Sequence, residues 1–141
     1  MTTGTPSQAD PLSGRGDEYF ARSMLWDWHN GEQIDLLAPD GGLIATLDQW
    51  HTAVFHGADG NRTVRGFLAW WRGHYKNPAE VPADLDEKIG KCLSRLADEL
   101  GAVEFRDRAD DLPYYFELPK REQDKAEAMR AMKEDGLIPE D

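Results

Sequence analysis

The apolar residues of this chain change their period once, near Asp48, and that change restricts the fold more than any other feature. Before it, Met24, Leu25, Trp26 and Trp28, then Ile34, Leu36 and Leu37, then Leu43 to Leu47 form short runs separated by Asn30-Gly31 and Asp40-Gly41-Gly42. Such punctuation predicts three antiparallel strands, 23–29, 32–37 and 43–47. After Asp48 the spacing is helical. Asp48 suits the N-cap of a short helix running to His56 and closed by Gly57, and Asp59-Gly60 reads as a turn. Thr63 caps a second helix whose Val64, Phe67, Leu68, Trp71 and Tyr75 share one buried stripe. A third helix runs over 83–100 with Leu85, Ile89, Cys92, Leu93, Leu96 and Leu100 on one face, and Gly101 stands where a C′ residue belongs.

Beyond Gly101, the runs 103–105 and 114–118 read as two strands around the polar turn 107–111. The last stretch, 119–135, reads as a charged helix whose Ala126, Met129 and Met132 make a stripe too narrow to hold it firmly on a core. The expected class is therefore α+β: a winged helix-turn-helix with an N-terminal three-stranded antiparallel meander, three helices, a C-terminal wing hairpin and a charged C-terminal helix. Residues 1–17, rich in Gly, Ser, Thr and Pro, read as a disordered tail, 18–118 as the domain and 119–141 as a helical extension. One conflict stands in the meander. A two-residue loop at Asn30-Gly31 puts Asp27 on a face with Leu25, Ile34 and Leu36, and Asp35 on a face with Met24, Trp26 and Trp28. Either both faces are covered or the loop is longer.

Composition narrows the function. The 141 residues are 40% apolar with five Trp and five Phe, enough for one packed domain. A net charge of −11, from 27 acidic and 16 basic residues, opposes binding to a nucleic-acid backbone or an anionic membrane, both of which rest on Lys and Arg. No apolar run approaches the roughly 20 residues that span a bilayer, and the N-terminus has no signal-peptide core, so a cytoplasmic location is expected. The single Cys92 lies in an apolar helical pattern and reads as a buried, inert thiol. Of His29, His51, His56 and His74, no two have the i, i+4 spacing of a helical metal pair, so no metal site is expected. Carboxylates fall in runs such as Asp84, Asp86 and Glu87, which suit a helix N-terminus, and no nucleophile elbow or phosphate loop occurs. No catalytic residue and no cofactor is expected, and the chain reads as a non-enzyme.

Two features point to a partner instead. Trp70-Trp71 cannot both face one core, so Trp70 either packs beneath the sheet or the C-terminal extension, or is an exposed anchor for a docking protein. Lys88, Lys91 and Arg95 fall on one face of the third helix, at i, i+3 and i+7, in an otherwise acidic chain. They form either a solvated face or the basic wall of a groove for an acidic peptide.

The run Leu43-Ile44-Ala45-Thr46-Leu47, followed by Ala53-Val54-Phe55 and then Asp59-Gly60-Asn61-Arg62-Thr63-Val64, resembles the PqqD-like peptide-recognition family, the RiPP recognition elements. Tyr75, Val81, Asp84, Leu93, Leu96 and Gly101 fill further places of the family pattern, and the likeness covers roughly 22–105. The chain departs from it in the stretch after Gly101, in the charged extension and in Asp48, where the family often has Asn. The resemblance implies that a precursor (leader) peptide adds as a strand along Leu43 to Leu47 and lies against the third helix, where Lys88, Lys91 and Arg95 stand. It implies a subunit that presents that peptide to a separate peptide-modifying enzyme, with the extension as an added docking surface. The alternatives are a winged-helix DNA-binding regulator, disfavoured by Asp84, Asp86 and Glu87 at the start of its recognition helix, and a scaffold or accessory assembly protein. Self-association is left open.

Overall fold

A computed structural model describes Leu12 and residues 14–139. Among these residues the chain is α+β, with two three-stranded antiparallel sheets and five α-helices.

The expected meander forms one sheet. Its strands are β2 (Leu25–Trp28), β3 (Ile34–Leu37) and β4 (Leu43–Thr46), in the order β2-β3-β4. The Asn30-Gly31 turn does not close it as expected. His29 N–H donates to Gln33 O at 2.9 Å, and the Asn30 side-chain oxygen accepts from the N–H groups of Glu32 and Gln33, both at 2.8 Å. Asn30 thus caps a longer loop through its side chain, and Gly31 is not among the glycines with positive φ. The longer loop moves the pairing by one residue: Trp26 faces Leu36, Trp28 faces Ile34 and Asp27 faces Asp35. This slip carries each Asp onto the face opposite the Trp26–Leu36 pair, because strand side chains alternate.

Both answers to the sequence conflict therefore hold, since the second face is covered as well. Trp26, Ile34 and Leu36 enter the main core with Phe20, Val54, Phe55, Phe67, Leu85 and Ile89. Leu25 belongs to a second cluster with Tyr115, Phe116, Ala128 and Met132, and Leu37 packs against it.

The helices follow their caps. In α1 (Gln49–His56) the Asp48 carboxylate accepts from His51 N–H, and in α2 (Val64–Arg72) the Thr63 hydroxyl accepts from Gly66 N–H. Helix α2 stops at Gly73, short of Tyr75, which is half-buried like Trp71 and so lies at the margin of the expected stripe. Helix α3 (Leu85–Ser94) buries Leu85, Ile89, Cys92 and Leu93, then widens into a π turn over Arg95–Glu99 that ends before Gly101 at φ 65°.

The second sheet corrects the expected wing. Val103 does begin a strand, β6 (Val103–Arg106), but its partner is β1 (Tyr19–Arg22), which also pairs with β5 (Asp59–Thr63). Neither β1 nor β5 was expected: Gly60, at φ 81°, bends β5 where a free turn was read. The other expected wing strand, 114–118, is a single helical turn, α4 (Tyr114–Glu117). A short apolar run does not distinguish strand from helix. Here Pro113 leads into α4, and Tyr115 and Phe116 both turn onto the outer face of the meander.

The C-terminal helix α5 (Lys125–Glu134) docks, contrary to its narrow stripe. Ala128 and Met132 are buried against α4 and Leu25, and Tyr115 O–H donates to the Asp135 carboxylate at 2.5 Å. The boundary read at 118 thus runs through one packed cluster. At the other end, Leu12 is buried in the main core, and Arg65 N–H donates to Gly16 O at 2.9 Å, so packing begins before Glu18. Residues 1–11 and 13 of the tail read over 1–17 lie outside the described residues.

Candidate functional site

Strand β4 is built by the turn before it. Gly41 takes φ 93°, the Asp40 carboxylate accepts from Gly42 N–H at 2.8 Å, and Ala38 N–H donates to Gly42 O at 2.8 Å. Within its sheet β4 pairs only with β3, so its other side is an edge. Leu47 N–H donates to Ile34 O at 2.8 Å. In an antiparallel ladder the inward groups recur at every second residue. Ala45 therefore faces β3, and the main-chain groups of Thr46 face outward. An irregularity at Leu36/Leu37 sets Leu43 opposite Leu37, and it leaves both Leu43 (64% exposed) and Ile44 (46%) on the surface. Among the described residues they are the one adjacent pair of exposed large aliphatic side chains.

Of the five residues expected to meet a peptide, three present themselves outward: Leu43, Ile44 and Thr46. The Thr46 hydroxyl is already engaged, donating to the Asp35 carboxylate at 2.5 Å. Ala45 is half-buried against the core and Leu47 is buried within it, so these two are structural. Thr52 on α1 locks this end: its hydroxyl accepts from Ile34 N–H at 3.1 Å.

Lys88 and Lys91 on α3 and Arg95 at the start of the π turn are exposed beside the buried stripe and make no ion pair within 4.0 Å among the described residues. Lys91 and Arg95 line an open trough of about 550 Å³ between α3 and α1, together with His51, Glu87, Ser94 and Glu99. The Lys88 ammonium sits 5.0 Å above the Trp50 ring, which stacks on Trp71 at 5.1 Å; the Trp71 indole N–H donates to the Tyr75 hydroxyl at 3.1 Å.

Asp48 joins the two parts of the site, because it follows Leu47 directly and its carboxylate bonds at 2.8 Å to the His51 ring, which lines the trough. Burial alone would raise its carboxyl, but bonds from the His51 amide and ring and the charges of His51 and Arg95 outweigh that and hold it below its ordinary value. The structure thus brings the basic stripe to the C-terminal end of β4, beside the start of α1. Leu43 and Ile44 stand at the other end of the strand, where Ile44 borders a small cavity shared with Leu25, Leu37, Phe116 and Leu137.

Trp70 is 48% exposed and lies under neither the sheet nor the C-terminal extension. Its ring is flanked by the Arg62 guanidinium at 5.0 Å and the His74 ring at 4.2 Å. Cys92 is buried, and burial, with a smaller effect of Asp48, pushes its thiol up to about 11. It is a protonated core side chain at neutral pH. Among the described residues no three His, Cys, Asp or Glu side chains gather in a metal-binding group, and no helix is long and apolar enough to cross a membrane.

Sequence reasoning passed over Arg22. It is buried in β1, where its guanidinium donates to Phe116 O (2.8 Å), His56 O (2.7 Å) and Glu117 O (3.1 Å) and lies over the rings of Trp26 and Phe55. Burial pulls its pKa down to about 10, against the opposing charges of Asp59 and Glu117, so it stays a cation at neutral pH. The only sequence signal is a charged residue at the end of Tyr19-Phe20-Ala21. Arg22 anchors α1 and α4 to the sheet and is not part of the surface site. Comparison with protein-family models, with curated proteins and with solved structures finds no match to this chain.

Proposed function

We propose that this chain is a non-catalytic peptide-binding subunit of PqqD-like type, which takes up a precursor peptide by strand addition on β4 and presents it to a separate modifying enzyme. The observation that carries the reading is the open β4 edge, with outward main-chain groups at Thr46 and the exposed side chains of Leu43 and Ile44 beside them. Main-chain pairing supplies affinity in such complexes, and flanking side chains supply specificity. The trough of Lys91 and Arg95 suits acidic side chains of the added strand as it passes the end of β4. In this reading α1, β5, α2, α3 and β6 are the winged-helix elements, and β1 takes the place of the second wing strand.

Thr46→Pro separates this reading from a merely sticky surface. It removes an outward N–H without removing a bond to β3, so the fold should persist. Peptides selected on the wild type from a randomised display library should be acidic, and should bind Thr46→Pro at least tenfold more weakly. The double variant Lys91→Glu/Arg95→Glu should lose a similar factor, mostly in the off-rate. Calorimetry on all three proteins checks this, and equal affinities across them would overturn it.

A further inference from the structure

A second concavity lies on the outer face of the meander, away from α3. Its volume is about 680 Å³, within the range of small-molecule sites. The floor is apolar and continuous: Leu25 from β2, Ala128, Met129 and Met132 from α5, and Ile138 after it. Met129 is 41% exposed, whereas Met132 one turn on is buried. Two thioethers make a floor that can reshape around an irregular guest.

Charge is not spread evenly around this floor. Lys120, Arg121 and Lys125 all come from the segment that leads into the N-terminal end of α5, whereas Met129, Met132 and Ile138 lie further along the chain. Arg121 is already neutralised, by the Asp27 carboxylate at 2.7 Å and by a bond to Trp28 O. Asp40, on the facing turn, is occupied with Gly42 N–H. Lys120 and Lys125 have no ion pair within 4.0 Å among the described residues, and they sit together in a chain of charge −11. The N-terminal end of α5 is itself capped by the Asp124 carboxylate, which accepts from Glu127 N–H at 2.9 Å. From Lys125 to Met132 the helix rises about 10 Å. Lys120, Arg121 and Lys125 against Asp27 and Asp40 leave that end with a small excess of positive charge, and the rest of the groove is apolar.

We propose that this groove binds a medium-chain acyl carboxylate, with the carboxylate at Lys120 and Lys125 and the acyl chain along Met129, Met132 and Ile138. This site shares no residue with β4 or the α3 trough, and it stands or falls separately from the peptide-binding reading.

The probe is octanoate, titrated below its micelle concentration into protein labelled with ¹³C at the methionine methyls. The Met129 and Met132 signals should shift saturably while Met1 stays in place. Butyrate should bind at least tenfold more weakly, because each buried methylene contributes. Octanol should bind more weakly than octanoate, and octylammonium more weakly still. The variant Lys120→Gln/Lys125→Gln, altered only at exposed positions, should lose at least fivefold affinity for octanoate and keep its affinity for octanol. Linear, unsaturable shifts would mean that octanoate only coats the surface, and would overturn the proposal. So would equal binding of octanoate, octanol and octylammonium, which would leave an apolar groove suited to a protein partner.

Discussion

Arg22 shows how a single side chain can hold three elements together. Its three donors diverge to the last residue of α1 and to two carbonyls at the end of α4, while Trp26 N–H also reaches Phe116 O at 2.9 Å. Those carbonyls belong to helix ends, where acceptors lack partners within the helix. Replacing Arg22 with Met keeps much of the apolar stem but leaves the His56 and Glu117 carbonyls without this donor. Each lost partner of a buried group costs about 1–3 kcal/mol. The two carbonyls are partly buried and water can replace some of the lost bonding, so Arg22→Met should lower stability by about 1–3 kcal/mol, read from the midpoint of urea unfolding. Arg22→Lys should recover only part of that loss, since an ammonium is a compact point charge that cannot span the guanidinium's fork.

At the scale of elements, α5 was the least expected contact. Its apolar stripe is narrow, yet it needs only Ala128 and Met132 to reach a surface already prepared by Leu25, Tyr115 and Phe116. Tyr115 ties the far end through Asp135, and the Gln123 side chain donates to Tyr115 O at 2.9 Å and Leu118 O at 2.7 Å, closing the link from α4 to α5. Met132→Ala should cost about 2–3 kcal/mol, within the range for deleting a buried methionine side chain. Hydrogen exchange should rise first in 125–134 and leave the α1 and α3 amides protected, because the main core lies on the other face of the meander. Uniform loss of protection would mean that the two clusters unfold as one.

For the whole molecule, two groups make acid the weak direction. The His56 ring lies against Trp26 and Trp28, at 5.8 and 5.6 Å. Partial desolvation there, on a residue that still reaches the surface, and then repulsion from Arg22 lower its pKa below 6.5. The unfolded chain takes up this proton near pH 6.5, while the folded chain resists it until a lower pH, so stability falls as pH drops through that window. Asp48 acts in the same direction at lower pH. Its depressed pKa contributes stability above the unfolded value near 4, and that is lost as the folded group is protonated. Urea midpoints should therefore fall between pH 7 and pH 5, and His56→Gln should flatten that slope. An unchanged slope in the variant would assign the loss to other groups.

Local physics was enough to read much of this chain from its residues. The meander, the caps at Asp48 and Thr63, the buried face of α3 and the left-handed Gly101 depend on neighbours a few positions away, and all were legible. Lys88, Lys91, Arg95 and an exposed Trp70 could be named for the same reason, as faces of single helices. What could not be read depends on partners distant in the chain. A strand as short as Tyr19–Arg22 carries no period of its own, and it exists because β5 and β6 supply its hydrogen bonds. Tyr114–Glu117 is helical because Tyr115 and Phe116 meet Leu25 and Met132, not because of the run itself. The register of the meander turned on a side-chain cap by Asn30, and a one-residue slip there exchanges every face of the hairpin. The edge at β4 likewise became visible only in the assembled sheet. A strand's sequence records which residues favour an extended backbone, and the sheet around it determines which side is left unpaired.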